Sequence, residues 1–498
     1  MLTAAFPKLA NMKITHLLRA FFRSAIYPAV VVALMICAEV FGLEFPIYYI
    51  YFVLAVLCVL FCEDTLGILP IVCCLYMTVS AGHNPGFGPS ESVREGRSIF
   101  FESQGVVQLF FLVSAGVVLL VGKLIMCIIE GKGGRGRPKL LFGFIALTVG
   151  YVLAGVTFQY EPRSVAFGLV QIACLTVFYF YFFFTVDWSR VKESYIFTVF
   201  IWIGIGVLVE TAAMYFAPGV IQNGKVAREH LYVGWGTYNN VGCIMAMCVP
   251  APFYFAAKKK NGWLFTLLGC LLFGGVVLTQ SRSAILFGTV VFLGCIVVMM
   301  IKANKRERIA NAILFGVLAV ALVILGVIFR KQVQSVFSSL TNAGFNSAGR
   351  LEIYRAAWDT FLSSPLFGKG FYHTPGGRFG LTWYVPSDPN TMNEVTGFVA
   401  PRAHNTVLQL LAMGGVFALL AYLYHRFETL WLLFRKPTTE KTFIALCIAA
   451  LLLTSLLDVH FFNFGPCVLY SILLVCAERP QQKTTPTNLF SSPTSTVL

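Results

Sequence analysis

Arg282 to Ile301 reads RSAILFGTVVFLGCIVVMMI, twenty residues whose single charge stands at the first position. A helix rises about 1.5 Å per residue, so this stretch covers about 30 Å, the thickness of a bilayer's hydrocarbon. Outward from it, the same apolar density recurs. Fourteen segments read as membrane spans: 24–42, 45–62, 66–81, 104–129, 138–158, 164–186, 194–217, 237–257, 261–279, 282–301, 309–330, 403–425, 441–458 and 460–477.

Composition agrees. Of 498 residues, 58% are apolar or aromatic and only 12% are charged. The mean hydropathy is +0.78. A soluble domain is about 25% charged, and its surface cannot hide this much apolar side chain. These values exclude a soluble enzyme, a disordered chain and a secreted disulfide scaffold. The 14 cysteines all fall in apolar segments with no CxxC pair, so they read as small buried residues. The first segment follows basic residues and precedes no small-residue cleavage site, so it reads as a retained signal anchor.

If residue 1 is cytoplasmic, 23 of the 37 Lys and Arg fall on the cytoplasmic side and 13 outside. Basic residues stay inside, which predicts N-in and C-in. The net charge of +15 follows mainly from this bias and does not point to nucleic acid. The chain divides into transmembrane helices 1–11 (1–330), a large extracytoplasmic loop (331–402), transmembrane helices 12–14 (403–479) and a cytoplasmic Ser/Thr/Pro-rich tail (480–498) that reads as disordered.

The polar chemistry gathers outside. Loops as long as 331–402 are usually functional or disordered, and Trp358, Phe361, Trp383 and Tyr384 argue against disorder. Residues 347–363 carry an amphipathic pattern, with Leu351, Tyr354, Trp358, Phe361 and Leu362 expected on one face. Such a helix either lies on the membrane surface or roofs a site. Arg282 and Arg402 each open a span, with Ser281 as N-cap of the first and Pro401 suited to the first turn of the second. Arg350 starts the amphipathic helix. Free N–H groups, the helix dipole and a guanidinium together favour a pyrophosphate. The alternative is that these Arg residues snorkel to lipid headgroups or bridge loop carboxylates.

His404 is the residue best suited to proton chemistry near neutral pH, with Asn405 beside it to orient it or to bind substrate. A structural role at the helix start is the alternative. Glu210 lies within a span, and Asp458 sits at the turn joining the last two spans. Intramembrane carboxylates are costly and mark function, or pair with one of the Arg residues. Tyr238-Asn239-Asn240 opens another span with its amides outward, while Glu39 reads as structural. No histidine pair has metal-ligand spacing, no DxD pair offers a magnesium site, and Gly131–Arg137 matches no phosphate loop. Neither a metal nor a cofactor is expected.

At these residues the chain resembles a known family. Arg402-Ala-His404-Asn405-Thr-Val-Leu408-Gln409, continuing to Gly414-Gly415, resembles the His-Asn-x-x-Leu-Gln…Gly signature of the O-antigen ligase and polymerase superfamily. Gly349-Arg350…Trp358…Pro365-Leu366-Phe367-Gly368-Lys369-Gly370 is similar to its Gly-Arg…Trp…Pro-Leu-Phe-Gly-x-Gly segment. Thr279-Gln280-Ser281-Arg282-Ser283-Ala284 resembles its Ser-Arg helix start, and Asn239-Asn240 is a looser match. The likeness covers about 237–425 in the family's order.

The resemblance implies an all-α, GT-C-like integral membrane fold of about 12–14 transmembrane helices at about 20 residues each. It also implies a glycosyltransferase of the cytoplasmic (inner) membrane with its site on the extracytoplasmic face. The donor would be an oligosaccharide on undecaprenyl pyrophosphate. The acceptor hydroxyl would belong to lipid A core, a growing polysaccharide or a protein. Arg282, Arg350 and Arg402 would bind the pyrophosphate and His404 would activate the acceptor; Asn405, Asn240, Glu210 and Asp458 are the supporting candidates that the residues themselves offer. One-step attack without metal would invert the anomeric carbon. Fourteen spans exceed the number usual in its ligases.

The rival reading is a lipid-linked oligosaccharide flippase. Transporters of that kind are built from repeated halves around midplane sites, and no convincing repeat is visible here. A third reading, a scaffold without catalysis, has no need of three Arg and a His on one face.

Overall fold

The computed structural model describes residues 13–78, 103–130, 137–157, 162–216, 220–222, 225–226, 231–234, 236–328, 330, 350–371, 383–385, 398–400 and 403–478. In chain order the helices are α1 (Lys13–Phe22), α2 (Ile26–Phe41), α3 (Glu44–Phe61), α4 (Leu69–Cys74), α5 (Ser103–Ile129), α6 (Leu141–Val152), α7 (Pro162–Thr185) and α8 (Tyr195–Met214). Two short antiparallel ribbons follow, Ile221–Gln222 with Lys225–Val226 and Tyr232–Val233 with Gly236–Thr237. Then come α9 (Tyr238–Cys248), α10 (Pro250–Lys258), α11 (Gly262–Leu278), α12 (Arg282–Lys302), α13 (Lys305–Ile328) and α14 (Arg350–Ser363). A third ribbon pairs Trp383–Val385 with Phe398–Ala400, and α15 (Thr406–Phe434), α16 (Thr439–Thr454) and α17 (Phe464–Glu478) close the chain.

The architecture is all-α and polytopic. Among the described residues, eight helices are long and apolar enough to cross a bilayer, or nine if α1 and α2, bent by 71° from each other, cross as one. In this count α9 and α10 run on as a single span. Helices α6, α11 and α17 are apolar but shorter.

Among the expected spans one needs correction and others are trimmed. The segment 66–81 does not form a crossing helix over its described residues. It makes a 3-10 turn at Leu66–Ile68, then the six-residue α4, then a turn. Six residues rise about 9 Å. Leu66 to Cys74 are buried throughout, so the run is apolar because it fills the bundle, not because it meets lipid. The last two spans, expected at 441–458 and 460–477, are also trimmed. Helix α16 stops at Thr454 and α17 starts at Phe464. Between them lie a turn and the 3-10 helix His460–Phe462.

Packing sorts helices of similar hydropathy into different roles. The α9–α10 window is 89% buried at the centre, while α13 is 6% buried at the rim. Close approach at the centre relies on glycine. A Cβ on Gly242 of α9 would stand 2.7 Å from Ala284 Cβ of α12, and one on Gly269 of α11 would stand 2.4 Å from a Phe253 ring carbon. Small residues at such crossings let helices gain dispersion contacts, which replace the hydrophobic drive that lipid removes.

Charges mark one end. Arg23 pairs with Asp64 at 2.6 Å, Arg190 with Glu63 at 2.7 Å and Lys258 with Glu193 at 2.9 Å.

Candidate functional site

Two helix N-termini and one turn build the site. At the start of α12 the chain makes a left-handed step at Gln280, φ 57°. Ser281 then caps the helix, its Oγ accepting from Ala284 N–H at 3.4 Å and donating to Asn239 Oδ1 at 2.9 Å. Arg282 is the first helical residue and is half-buried. The N-cap expected at Ser281 is therefore present, and its hydroxyl also ties α12 to α9.

At the start of α15, Asn405 is the N-cap. Its Oδ1 accepts from Val407 N–H at 2.9 Å and Leu408 N–H at 3.0 Å, while its Nδ2 donates to Leu456 O at 2.9 Å. Thr406 N–H donates to Ser455 O at 3.0 Å, and Thr406 Oγ1 donates to Asp458 O at 3.2 Å. The helix start is thus laced to the turn after α16. Ala403 N–H donates to Gln409 Oε1 at 2.6 Å, closing the cap from the other side.

This lacing brings His404 to Asp458. The imidazole Nδ1 stands 3.3 Å from Asp458 Oδ1. His404 holds φ 47°, a left-handed conformation a non-glycine residue adopts only at a cost of about 1–3 kcal/mol. Its side chain is 34% exposed, whereas that of Asp458 is 8% exposed. Burial pushes the Asp458 carboxyl up. The charges of His460 and His404, the His404 hydrogen bond and Val459 N–H at 2.8 Å outweigh it and hold the acid below the usual carboxylate range. An ionised carboxylate accepts from Nδ1–H and leaves the Nε2 lone pair for a proton.

Helix α14 lies over this pair. Arg350 is its first residue, and the Tyr354 hydroxyl donates to the His404 carbonyl oxygen at 3.2 Å. Both Arg350 and Asp458 lie close enough to the Tyr354 phenol to act on its charge. Of the helix expected at 347–363, residues 350–363 are described and form α14, and its buried side is another face than the expected apolar one. Ile353 and Ala357 face inward, whereas Leu351, Trp358 and Leu362 are exposed. Tyr354 is half-buried between these faces, with its polar tip on His404. Sequence reading placed Tyr354 among the apolar residues and missed this contact. The only signal was its position one turn after Arg350.

The Pro365–Gly370 segment and the Gly414-Gly415 pair turn out to be one device. Gly415 breaks α15 with φ 64°, ψ −163°. A regular helix would pair Ala412 O with Val416 N–H and Met413 O with Phe417 N–H. Here the loop after α14 enters the gap. Lys369 N–H donates to Ala412 O at 3.0 Å and Gly370 N–H to Met413 O at 2.8 Å. Val416 N–H donates to Pro365 O at 2.9 Å and Phe417 N–H to Leu366 O at 3.2 Å. All four groups freed by the break find partners, as a broken helix in a membrane requires. A Cβ on Gly368 would stand 2.3 Å from Met413 C, and one on Gly415 2.3 Å from Leu366 O.

Other expected residues are placed apart. Asn240 Oδ1 accepts from His460 Nδ1 at 3.0 Å and Asn463 Nδ2 at 2.5 Å, bridging α9 to the turn before α17. Glu210 is fully buried in α8, and neither carboxyl oxygen has a hydrogen-bond partner among the described residues. It is near Glu39 of α2 and pairs with no Arg among the described residues. Arg402, most of the loop 331–402 and the tail 480–498 lie outside the described residues. Within the described residues no group of three His, Cys, Asp or Glu has metal-site geometry.

Comparison with known proteins meets this region. A family profile described as O-antigen ligase matches residues 267–423, the stretch from α11 through the first part of α15. The chain is similar to the O-antigen ligase of Escherichia coli (strain K12), 21% identical over 254 residues, covering 49% of this chain and 57% of the relative. It is also similar to the teichuronic acid biosynthesis protein TuaE of Bacillus subtilis (strain 168), 22% identical over 317 residues, covering 59% of this chain and 61% of the relative. The matches span less than two thirds of either relative's length.

Proposed function

We propose that the chain belongs to the O-antigen ligase superfamily, whose profile matches residues 267–423, and that it is a membrane glycosyltransferase. It moves a glycan from undecaprenyl pyrophosphate to an acceptor hydroxyl during assembly of cell-surface polysaccharide. The observation that carries this reading is the His404–Asp458 contact of 3.3 Å beneath Arg350's helix.

A sugar hydroxyl is a weak nucleophile, and a positioned base contributes about 10²–10⁴-fold. His404 Nε2 takes the hydroxyl proton while the acceptor oxygen attacks the anomeric carbon. The bond from that carbon to the pyrophosphate oxygen breaks, and the electron pair leaves with undecaprenyl pyrophosphate. Asp458 holds the ring's tautomer and stabilises the imidazolium. Arg350, with Arg282 at the N-terminus of α12 and Arg402 beside His404 in sequence, meets the leaving group's charge. The scheme draws on no metal ion and inverts the anomeric centre. Asn405 and Asn240 act by placing the two turns.

The protein sits in the cytoplasmic (inner) membrane with both termini inside, and the reaction faces outward. The relatives' names divide between an O-antigen ligase and a teichuronic acid protein, so lipid A core, a growing polysaccharide and a protein are all acceptors to test.

The test uses purified, reconstituted protein with undecaprenyl-pyrophosphate-linked oligosaccharide from its own host. Released undecaprenyl pyrophosphate and glycan length are followed with and without acceptors, beside His404→Ala and Arg282→Ala. Release in wild type that both substitutions abolish supports the reading. A ladder of longer glycans without added acceptor identifies a polymerase. Donor crossing the bilayer with no pyrophosphate released under any acceptor would instead make it a flippase.

A further inference from the structure

We propose that Tyr354 is a positioning residue for His404, joining the base to the helix that carries Arg350. The inference rests on the glycosyl-transfer reading above and extends it to a residue with no part in the bond-making step.

Three observations carry it. The Tyr354 hydroxyl donates to the His404 carbonyl at 3.2 Å, so it holds the backbone of the residue whose ring must be aimed. That backbone is in the left-handed region at φ 47°, where a side chain other than glycine's stays only if its surroundings hold it. Arg350 opens α14 one helical turn before Tyr354, so the first turn of the helix that carries the expected donor-binding group ends on the carbonyl of the base.

The far end of the same unit is fixed independently. Backbone hydrogen bonds between 365–370 and 412–417 lock the loop after α14 into the break of α15. Ile353 and Ala357 are buried along the inner side of α14. Helix α14 is therefore held on α15 at its lower end by the glycine clamp and at its upper end by Tyr354. Only the upper tie touches His404. Removing the hydroxyl leaves the clamp, the apolar contacts and the Gln409, Asn405 and Thr406 hydrogen bonds in place and takes away the tie on the His404 carbonyl.

The experiment compares wild type, Tyr354→Phe, His404→Ala and the double variant, all purified in detergent and reconstituted. The donor is undecaprenyl-pyrophosphate-linked oligosaccharide from the host. Tyr354→Phe is expected to lower kcat roughly five- to tenfold, the size of one lost hydrogen bond, with KM for donor unchanged. In the His404→Ala background it should cost nothing more, because a residue acting through another shows full coupling. Hydrogen–deuterium exchange of the 403–408 amides should quicken in Tyr354→Phe, without any substrate present.

A rise in KM alone, additive loss in the double variant, or unchanged exchange would overturn the proposal. Unimpaired His404→Ala would sink the glycosyl-transfer role of His404 itself, and the exchange rates would still decide whether Tyr354 holds the turn.

Discussion

At the scale of single residues, His404 and Asp458 stand 54 positions apart in the chain and 3.3 Å apart in space. If His404 is the base, His404→Ala lowers kcat by about 10²–10⁴-fold at unchanged expression and elution. Asp458→Asn, which keeps shape and loses charge, is expected to lower kcat on the order of 10²-fold by releasing the tautomer. Asp458 also sets a pH dependence of stability. Its acid is held below the usual range, so its stabilising contribution is fully present above the unfolded value of about 3.9. That contribution is lost as pH falls through the folded value. Wild type should therefore have a higher Tm in detergent than Asp458→Asn at about pH 5, and the gap should close in stronger acid. Glu210 gives the opposite expectation. Among the described residues its carboxyl has no hydrogen-bond partner and no ion pair with an Arg, so Glu210→Gln should leave both Tm and turnover unchanged. Lost turnover at unchanged Tm would put Glu210 back in the reaction.

At the scale of elements, the break in α15 explains why two separated glycine-rich motifs occur in one chain. Helix α15 cannot pass Gly415 as a regular helix because the backbone of 365–370 occupies its hydrogen-bond ladder. Gly368→Ala and Gly415→Ala each force a Cβ to 2.3 Å from backbone atoms at a positive φ. Each should destabilise the protein by about 1–3 kcal/mol, read as a lowered Tm in detergent. Gly316→Ala in α13 is the control, since nothing lies within 4 Å of its added Cβ. There the substitution should be neutral or stabilise by up to about 1 kcal/mol. The motifs were legible in the sequence as a resemblance. Their physical role was not, because the partner of each glycine lies about fifty residues away and is a backbone with no residue signature of its own.

At the scale of the whole molecule, salt bridges join Arg23, Asp64, Glu63, Arg190, Glu193 and Lys258 at one end, and the polar turns occupy the other. The count of basic residues predicts that the charged end faces the cytoplasm. Reporter fusions check this directly. Green fluorescent protein fused after Lys260 or Glu478 should fluoresce, and alkaline phosphatase fused after Leu366 should be active. The reverse pattern would turn the bundle over and move the site to the cytoplasmic face.

Composition and run length alone determined that this chain is an all-α membrane protein, because about 20 apolar residues in sequence have no other place to go. Local capping chemistry was equally legible. Ser281 reads as an N-cap from its own neighbours, and the structure shows it as one. Hydropathy could not separate a crossing helix from a buried one, since lipid and protein interior reward the same side chains. Leu66–Cys74 therefore reads as part of a span although it is buried in the bundle. The site was legible as a set of residue types, not as an assembly. Tertiary structure alone decided that Asp458 meets His404, that Tyr354 turns its hydroxyl inward, that Asn240 serves a bridge and that Glu210 stands apart. Each of these depends on where turns from distant helices come to rest, and hydrogen bonds between remote backbones leave no periodic trace in a sequence.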